Sequence, residues 1–474
     1  EPPVSDTRLR NNSTLDAATH AQVTGLDAAP SVPTPQGLSL RSNFAWMLTG
    51  NVVFAACQLG MIVALARLGN SFMVGQFSLG LAISTPVLMF TNLNLRAVQA
   101  TDAKRLYSFG EYFQLRFVMS AIALLAIAMV ARAENVARTT ALVILAVSLA
   151  KAIDALSDIH YGLFQLNERL DQTGRSMILR GLGSVAALSA VLYFTRSILW
   201  SCVALAFVWL AALIGWDFRQ ALRLLIFVGE PRKFPKAKGL WRVWSTQYRV
   251  RRQWTLLRLS LPLGIVTTLA SINLNMPRYF VAARSGEHEL GVFSALAYAT
   301  VALTLISDSL GHCVIPKLSR LYEAGSMAAF QAAVLKLSGI GIAMGFAALG
   351  AVQLAGRWLL GVFYGPEYSG HFQAFVLLML AAAIHCVAAM FTSGILAARR
   401  FRIQVVIFSM VAATTALACY RMVPSMGLTG GALGMVAGAV MRLILAALVL
   451  GHLILAGANR TNRAVRVAEW SPSL

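Results

Sequence analysis

The stretch FQAFVLLMLAAAIHCVAAMFTSGILA, residues 372–397, runs for 26 positions without one Asp, Glu, Lys or Arg. At about 1.5 Å per residue, a helix of that length crosses the roughly 30 Å hydrocarbon core of a bilayer. Similar runs recur near 44–66, 73–91, 113–131, 139–157, 176–195, 198–216, 259–280, 291–310, 333–354, 403–420 and 429–456, which makes twelve expected spans. The whole chain is 58% hydrophobic and 12% charged, with a mean hydropathy of +0.67. Soluble domains carry about a quarter charged residues, so water is not the main solvent of this chain. The expected fold class is an all-α membrane protein of about twelve transmembrane helices.

A formal charge of +21 invites a nucleic-acid reading, but the placement of the charge argues against it. With the amino terminus in the cytoplasm, 30 of the 40 Lys and Arg fall at inside segments and eight at outside ones. That asymmetry is the positive-inside pattern and predicts two cytoplasmic termini. The expected organisation is a disordered cytoplasmic segment 1–42, a six-helix bundle 43–216, a basic cytoplasmic linker 217–258, a second six-helix bundle 259–456 and a cytoplasmic tail 457–474. The linker carries PRKFPKAK and RVRRQ, suited to anionic headgroups at about 1 kcal/mol per basic residue. Residues 1–40 are polar, with Pro2, Pro3, Pro30, Pro33 and Pro35, so the first apolar run reads as a retained helix.

The halves echo each other. GQFSLGLA from Gly75 is followed by RLYSFG from Arg105, and GVFSALAY from Gly291 is followed by RLYEAG from Arg320. Six spans separate equivalent points, so the halves share one orientation and the pseudo-two-fold axis lies along the membrane normal. Two facing bundles leave a cleft suited to alternating access.

Ionisable groups at depth are costly and mark cavities or ion pairs. Arg442 lies mid-span in the last helix, as a cavity cation or half of an ion pair. Lys151, Asp154 and Asp158 share one face of the fourth span, either as an internal salt bridge or as a gating or ion-coupling group. His385 is a second candidate for coupling. In SINLNMPRY, Asn273, Asn275, Pro277 and Arg278 place a polar face beside an expected helix break, with Arg278 either at substrate or snorkelling outward. Arg96, Asp102 and Arg116 either meet a headgroup or fix a loop.

The chain has no HExxH, GxSxG or Walker lysine loop, and no loop long enough for a catalytic domain outside the membrane. No catalytic residue and no metal site is expected. Cys57, Cys202, Cys313, Cys386 and Cys419 are far apart and form no CxxC. A membrane-embedded polymerase or ligase of lipid-linked sugars is the rival from another class.

GNVVFAACQLGMIVALARLG at Gly50, VGQFSLGLAISTPV at Val74, NLNLRAVQATDAK at Asn92, SINLNMPRY and LGVFSALAY carry a resemblance over nearly the whole chain from Asn43. The chain resembles the Wzx-type flippases of the multidrug/oligosaccharidyl-lipid/polysaccharide (MOP, MATE-like) superfamily. That resemblance implies two six-helix bundles in a V and passage of undecaprenyl-diphosphate-linked oligosaccharide across the bacterial inner membrane, for O-antigen, capsule or exopolysaccharide. It implies a cationic cavity, for which Arg67, Arg116, Arg278, Arg442 and Asn275 are the candidates here. Lys151, Asp154 and His385 are the candidates for coupling or gating. It implies no resident cofactor, with H+ or Na+ as the coupling ion. Expected partners are the lipid-linked oligosaccharide, membrane lipids, a polysaccharide polymerase and a chain-length regulator, and no nucleic acid. The lipid II flippases have fourteen spans against twelve here, which weakens a peptidoglycan role. The drug and cation antiporters share the architecture, and Asp154 and Asp308 are the residues that favour them.

Overall fold

The computed structural model describes residues 38–102, 105–133, 137–227, 250–398 and 401–469. Most of the segment 1–42, the core of the linker 217–258 and the end of the tail 457–474 lie outside the described residues. The described chain is helical: α1 Leu40–Leu68, α2 Ser71–Asn92, α3 Leu95–Thr101, α4 Phe109–Ala133, α5 Arg138–Leu166, α6 Leu170–Thr195 and α7 Ile198–Ala212. A π turn, Leu213–Asp217, leads to α8 Phe218–Phe227. There follow α9 Val250–Ala299, α10 Val301–Glu323, α11 Met327–Phe363, the short α12 Pro366–Ser369, α13 Phe372–Ala397 and α14 Phe401–Glu469.

Ten of these stretches are long and apolar enough to cross a membrane, and two of the ten are double. In α9 the backbone leaves the helical region at Gly286, with φ of 83°. Val281 and Phe293 both border Gly431, although a straight helix would set them about 18 Å apart. The chain therefore reverses at Gly286. In α14 the break is Gly427, with φ of 55°, and beyond it Gly430 lies against Met422, Gly434 against Cys419 and Gly438 against Thr415. Only glycine adopts such φ values freely, which is why both hairpins turn there. Counting each arm gives twelve crossings, in agreement with the expected number.

The helices outrun the apolar runs that predict them. The fifth span begins at Leu170 rather than 176, and the ninth extends over Met327–Phe363 rather than 333–354. The eighth is α9 beyond Gly286 continued by α10, with Thr300 between them. Pro277, expected to break the seventh span, stays within helical α9, and the break falls nine residues later. A proline mid-helix is tolerated where neighbouring helices satisfy the freed groups.

Packing divides the molecule into ends. Near Arg67, Arg138 and Gly286, one apolar core unites both halves: Met61, Phe77, Ile144 and Trp209 from the first, Phe293, Val352, Tyr364 and Phe375 from the second. At the opposite end there are two cores. One holds Leu93, Phe109, Tyr112, Phe164 and Leu224 of the first half with Leu256 of α9, and the other holds Leu318, Phe330, Ile395, Ala446 and Leu450 of the second. The halves are thus joined at one end and split at the other, a V.

The seventh span straddles them. Gln253 donates to the Glu111 carbonyl (3.1 Å), Arg252 pairs with the Glu111 carboxylate (3.2 Å) and Gly264 abuts Phe90 and Leu93. Farther along, Asn273 donates to the Phe408 carbonyl of the second half (3.0 Å).

The repeat explains how the joined end closes. A Cβ on Gly75 would overlap the Glu287 carbonyl, and a Cβ on Gly291 would overlap the Ser71 carbonyl. Glu287 stands to Gly291 as Ser71 stands to Gly75, so the contact is reciprocal, as a two-fold axis requires. Around this crossing, Gln76 donates to Thr140 (2.8 Å) and Thr140 to Glu287 (2.8 Å). Arg67 donates to the carbonyls of Gly361 (2.7 Å), Val362 and Phe363 (3.2 Å) at the end of α11, where the helix dipole is negative. Arg67→Ala is expected to loosen the joined end by about 1 kcal/mol, a roughly fivefold shift, because exposed charged contacts are screened. Faster labelling of an introduced Val362→Cys thiol by a water-soluble maleimide measures it.

Candidate functional site

The first half builds a charged wall on α5. Residues 151, 154 and 158 fall on one helical face of α5, and Asp154, inside the expected span 139–157, and Asp158, at its end, keep side-chain exposures of 30% and 32%. A carboxylate at that depth does not face hydrocarbon, so this face lines the cleft of the V. Each carboxylate takes two cations. Asp154 accepts from Lys151 (3.2 Å) and Arg180 (2.6 Å), and Asp158 from Arg96 and Arg116 (both 3.2 Å). Arg180 also donates to the Tyr161 hydroxyl (3.0 Å), which shares a hydrogen bond with Ser176 (2.8 Å). The Trp209 ring carries both Arg180 (4.7 Å) and Lys151 (5.3 Å), and Tyr161 carries Arg96 (5.6 Å).

The buried members anchor the exposed ones. Arg116 and Arg180 are 0% and 1% exposed, whereas Lys151 and Arg96 are 22% and 23% exposed. Asp217, wholly buried on the π turn, adds a third carboxylate near Arg180. Four cations thus stand against three carboxylates on this wall.

The second half contributes a chain of three side chains from three helices. Arg442 of α14 bonds His385 Nδ1 (2.9 Å), and His385 Nε2 of α13 meets Asp308 Oδ1 of α10 (3.3 Å). The Arg442 guanidinium lies over the Phe408 ring (5.5 Å). Asp308 is 48% exposed and His385 21%, so the chain leads from the cleft into the bundle.

Of the residues singled out from sequence, the structure brings Arg442 and His385 together, and places Lys151 and Asp154 beside Arg116. Arg278 donates to Asn275 (2.8 Å) and stacks over Tyr298 (5.6 Å), while Asn275 donates to the Ser271 carbonyl (2.9 Å). That pair is therefore joined within α9, although Arg278 Nε stays buried without a hydrogen-bond partner. Arg67 stands apart, at the joined end. Asp102 does not pair with Arg116: its carboxylate accepts the Leu106 (2.9 Å) and Tyr107 (3.1 Å) amides and the Tyr112 hydroxyl (3.2 Å), fixing the loop before α4.

Arg180 and Asp217 escape the sequence reading because both count as charges of cytoplasmic segments. The signal for Arg180 is its context: after it, fifteen residues pass without a charge. Among the described residues there is no cluster suited to a metal ion.

No family model matches the chain. In sequence it is similar to the "Capsular polysaccharide biosynthesis protein CapF" of Staphylococcus aureus, with 24% identity over 391 residues, 82% of this chain and 94% of that protein. It is also similar to the "EPS I polysaccharide export inner membrane protein EpsE" of Ralstonia solanacearum, 25% identical over 56% of this chain and 55% of that protein. In fold it is similar to an inward-facing MATE-family multidrug transporter of the MOP superfamily (TM-score 0.61, 14% identity, 90% of this chain and 98% of that one). A second fold neighbour is the lipid II flippase MurJ in an inward closed conformation (TM-score 0.66, 8% identity, 91% and 94%). The fold is that of the MOP-superfamily transporters, as the sequence resemblance implies, and the chain is a multi-pass membrane protein. Taken together, these likenesses support a flippase-type transporter.

Proposed function

We propose that the chain flips an anionic lipid-linked oligosaccharide, of the polyprenyl-diphosphate type, from the cytoplasmic to the outer leaflet of a bacterial inner membrane. The observation that carries the reading is the excess of cations on the first-half wall of a cleft closed at one end. Arginine matches a phosphate bidentately and resists deprotonation at depth, so a diphosphate can replace carboxylate partners without a change in the protein's charge. The fold neighbours and the capsule and exopolysaccharide relatives point the same way. A cation or drug antiporter calls for carboxylates in excess, and here Asp154 and Asp158 on the first-half wall each take two cations.

The positive-inside count places the split end in the cytoplasm, so the V is open to the leaflet where lipid-linked sugars are assembled. The sugar leaves when the joined end parts and the split end closes. The polymerase and chain-length regulator act after that step.

The test is made in a strain lacking the gene, resupplied with wild-type, Arg116→Gln or Arg442→Gln chains. Lipid-linked oligosaccharide is measured on each leaflet. Accumulation inside, relieved by wild type and reduced at least tenfold in relief by the variants, is the expected result. Normal arrival outside with unpolymerised units there would sink the flippase reading and favour the polymerase.

A further inference from the structure

The hydrogen-bond chain in the second half has only one consistent assignment of protons. A guanidinium donates and never accepts, so the His385 Nδ1 that Arg442 meets at 2.9 Å presents a lone pair. The ring hydrogen is then on Nε2, aimed at the Asp308 carboxylate at 3.3 Å. In this state His385 is neutral, and Arg442 is held against the bundle wall by the nitrogen that a second proton would take.

We infer that His385 is a proton-operated latch on Arg442. A proton from cleft water taken up at Nδ1 breaks the Arg442–His385 hydrogen bond and presents imidazolium and guanidinium together to one phosphate of the ligand. An O–H bond of hydronium in the cleft breaks as the Nδ1–H bond forms, water is released, and the Nε2–H contact to Asp308 persists as an ion pair. Two cations at that separation repel unless an anion bridges them, so proton and phosphate each strengthen the other's binding. The ligand class rests on the flippase reading, whereas the latch does not.

The surroundings favour this site over others. Facing His385 are Asp308 from α10 and Arg442 from α14. From α11, Gly341 and Gly345 border Cys386 and Ala383 of α13, the helix that carries the ring. On α9, Asn273 donates to the Phe408 carbonyl, and Arg278 donates to Asn275 and lies over Tyr298. Asp308, half exposed, links the ring to cleft water.

The full chain, labelled with 15N-histidine in lipid nanodiscs, tests the latch directly. The His385 signal, identified by its loss in His385→Gln, is expected as the Nε2–H tautomer at pH 8. In Arg442→Gln the preference is expected to be lost, with Nδ1–H appearing beside Nε2–H, because the donor that holds the Nδ1 lone pair is gone. An Nδ1–H tautomer in wild type, or no change on losing Arg442, overturns the latch.

Inorganic pyrophosphate is the second probe. Wild type is expected to bind it about tenfold more tightly at pH 6 than at pH 8, and His385→Gln with no such gain. Pyrophosphate itself loses charge on acidification, so the gain cannot come from the ligand. A gain retained in His385→Gln overturns the latch as the source of coupling. If the tautomer results hold and pyrophosphate does not bind, the latch stands and the anionic-cargo reading falls.

Discussion

Replacing Gly75 with leucine is expected to abolish transport while the protein still reaches the membrane. Gly291→Leu is expected to do the same, and Gly350→Leu to leave transport intact. The first two positions face each other across the pseudo-two-fold axis, where the added Cβ alone overlaps a backbone carbonyl of the opposite half. A carbonyl in a helix cannot swing aside as a side chain can, so the two helices must part, and the joined end with them. Gly350 on α11 has open space beside it, and a leucine there adds apolar surface without a clash. The readout is twofold: surface polysaccharide for transport, and maleimide labelling of a cysteine at Val362 for opening. Full transport by Gly75→Leu would mean that the joined end need not close in the cycle. Loss of transport without faster labelling would mean that the helices repack without parting.

The equivalence of those two positions was legible in the sequence, and their contact was not. The repeat of GQFS and GVFS identifies Gly75 and Gly291 as equivalent positions, and a two-fold axis brings some equivalent positions together. The fold class and the number of crossings were legible for a similar reason: a bilayer imposes length and hydrophobicity on each span, whatever its neighbours. Partners across helices were not. Lys151 and Asp154 announce each other by spacing on one helix, but Arg180 lies 26 residues from Asp154 and comes to it only through the packing of α6 on α5. His385 and Arg442, 57 residues apart, each stand out as polar groups at depth, yet nothing in sequence pairs them. Arg67 was grouped with the cavity cations because its charge could be read and its position at the joined end could not. The failed break at Pro277 has a local cause, since the helix retains it and Gly286 supplies the positive φ that the reversal needs.

Asp154→Asn is expected to be the most destabilising single change on the first-half wall. It takes from Arg180, 1% exposed, its carboxylate at 2.6 Å and leaves it only the neighbouring charge of Asp217, and breaking a buried pair costs about 3 kcal/mol. In detergent this is read as a fall in the thermal midpoint of roughly 5 °C or more. Lys151→Ala is milder, because Lys151 is 22% exposed and Arg180 remains with Asp154. The double variant Asp154→Asn with Arg180→Gln removes both charges of the pair but also takes Arg180 from buried Asp217, so it is expected to regain part of the lost stability. Stability and transport should then separate. If the wall serves only to hold α5, α6 and α7 together, transport returns with stability in the double variant. If its cations receive the diphosphate, the double variant regains stability and is still slow, because Arg180, which shares the Trp209 ring with Lys151, is gone from the wall.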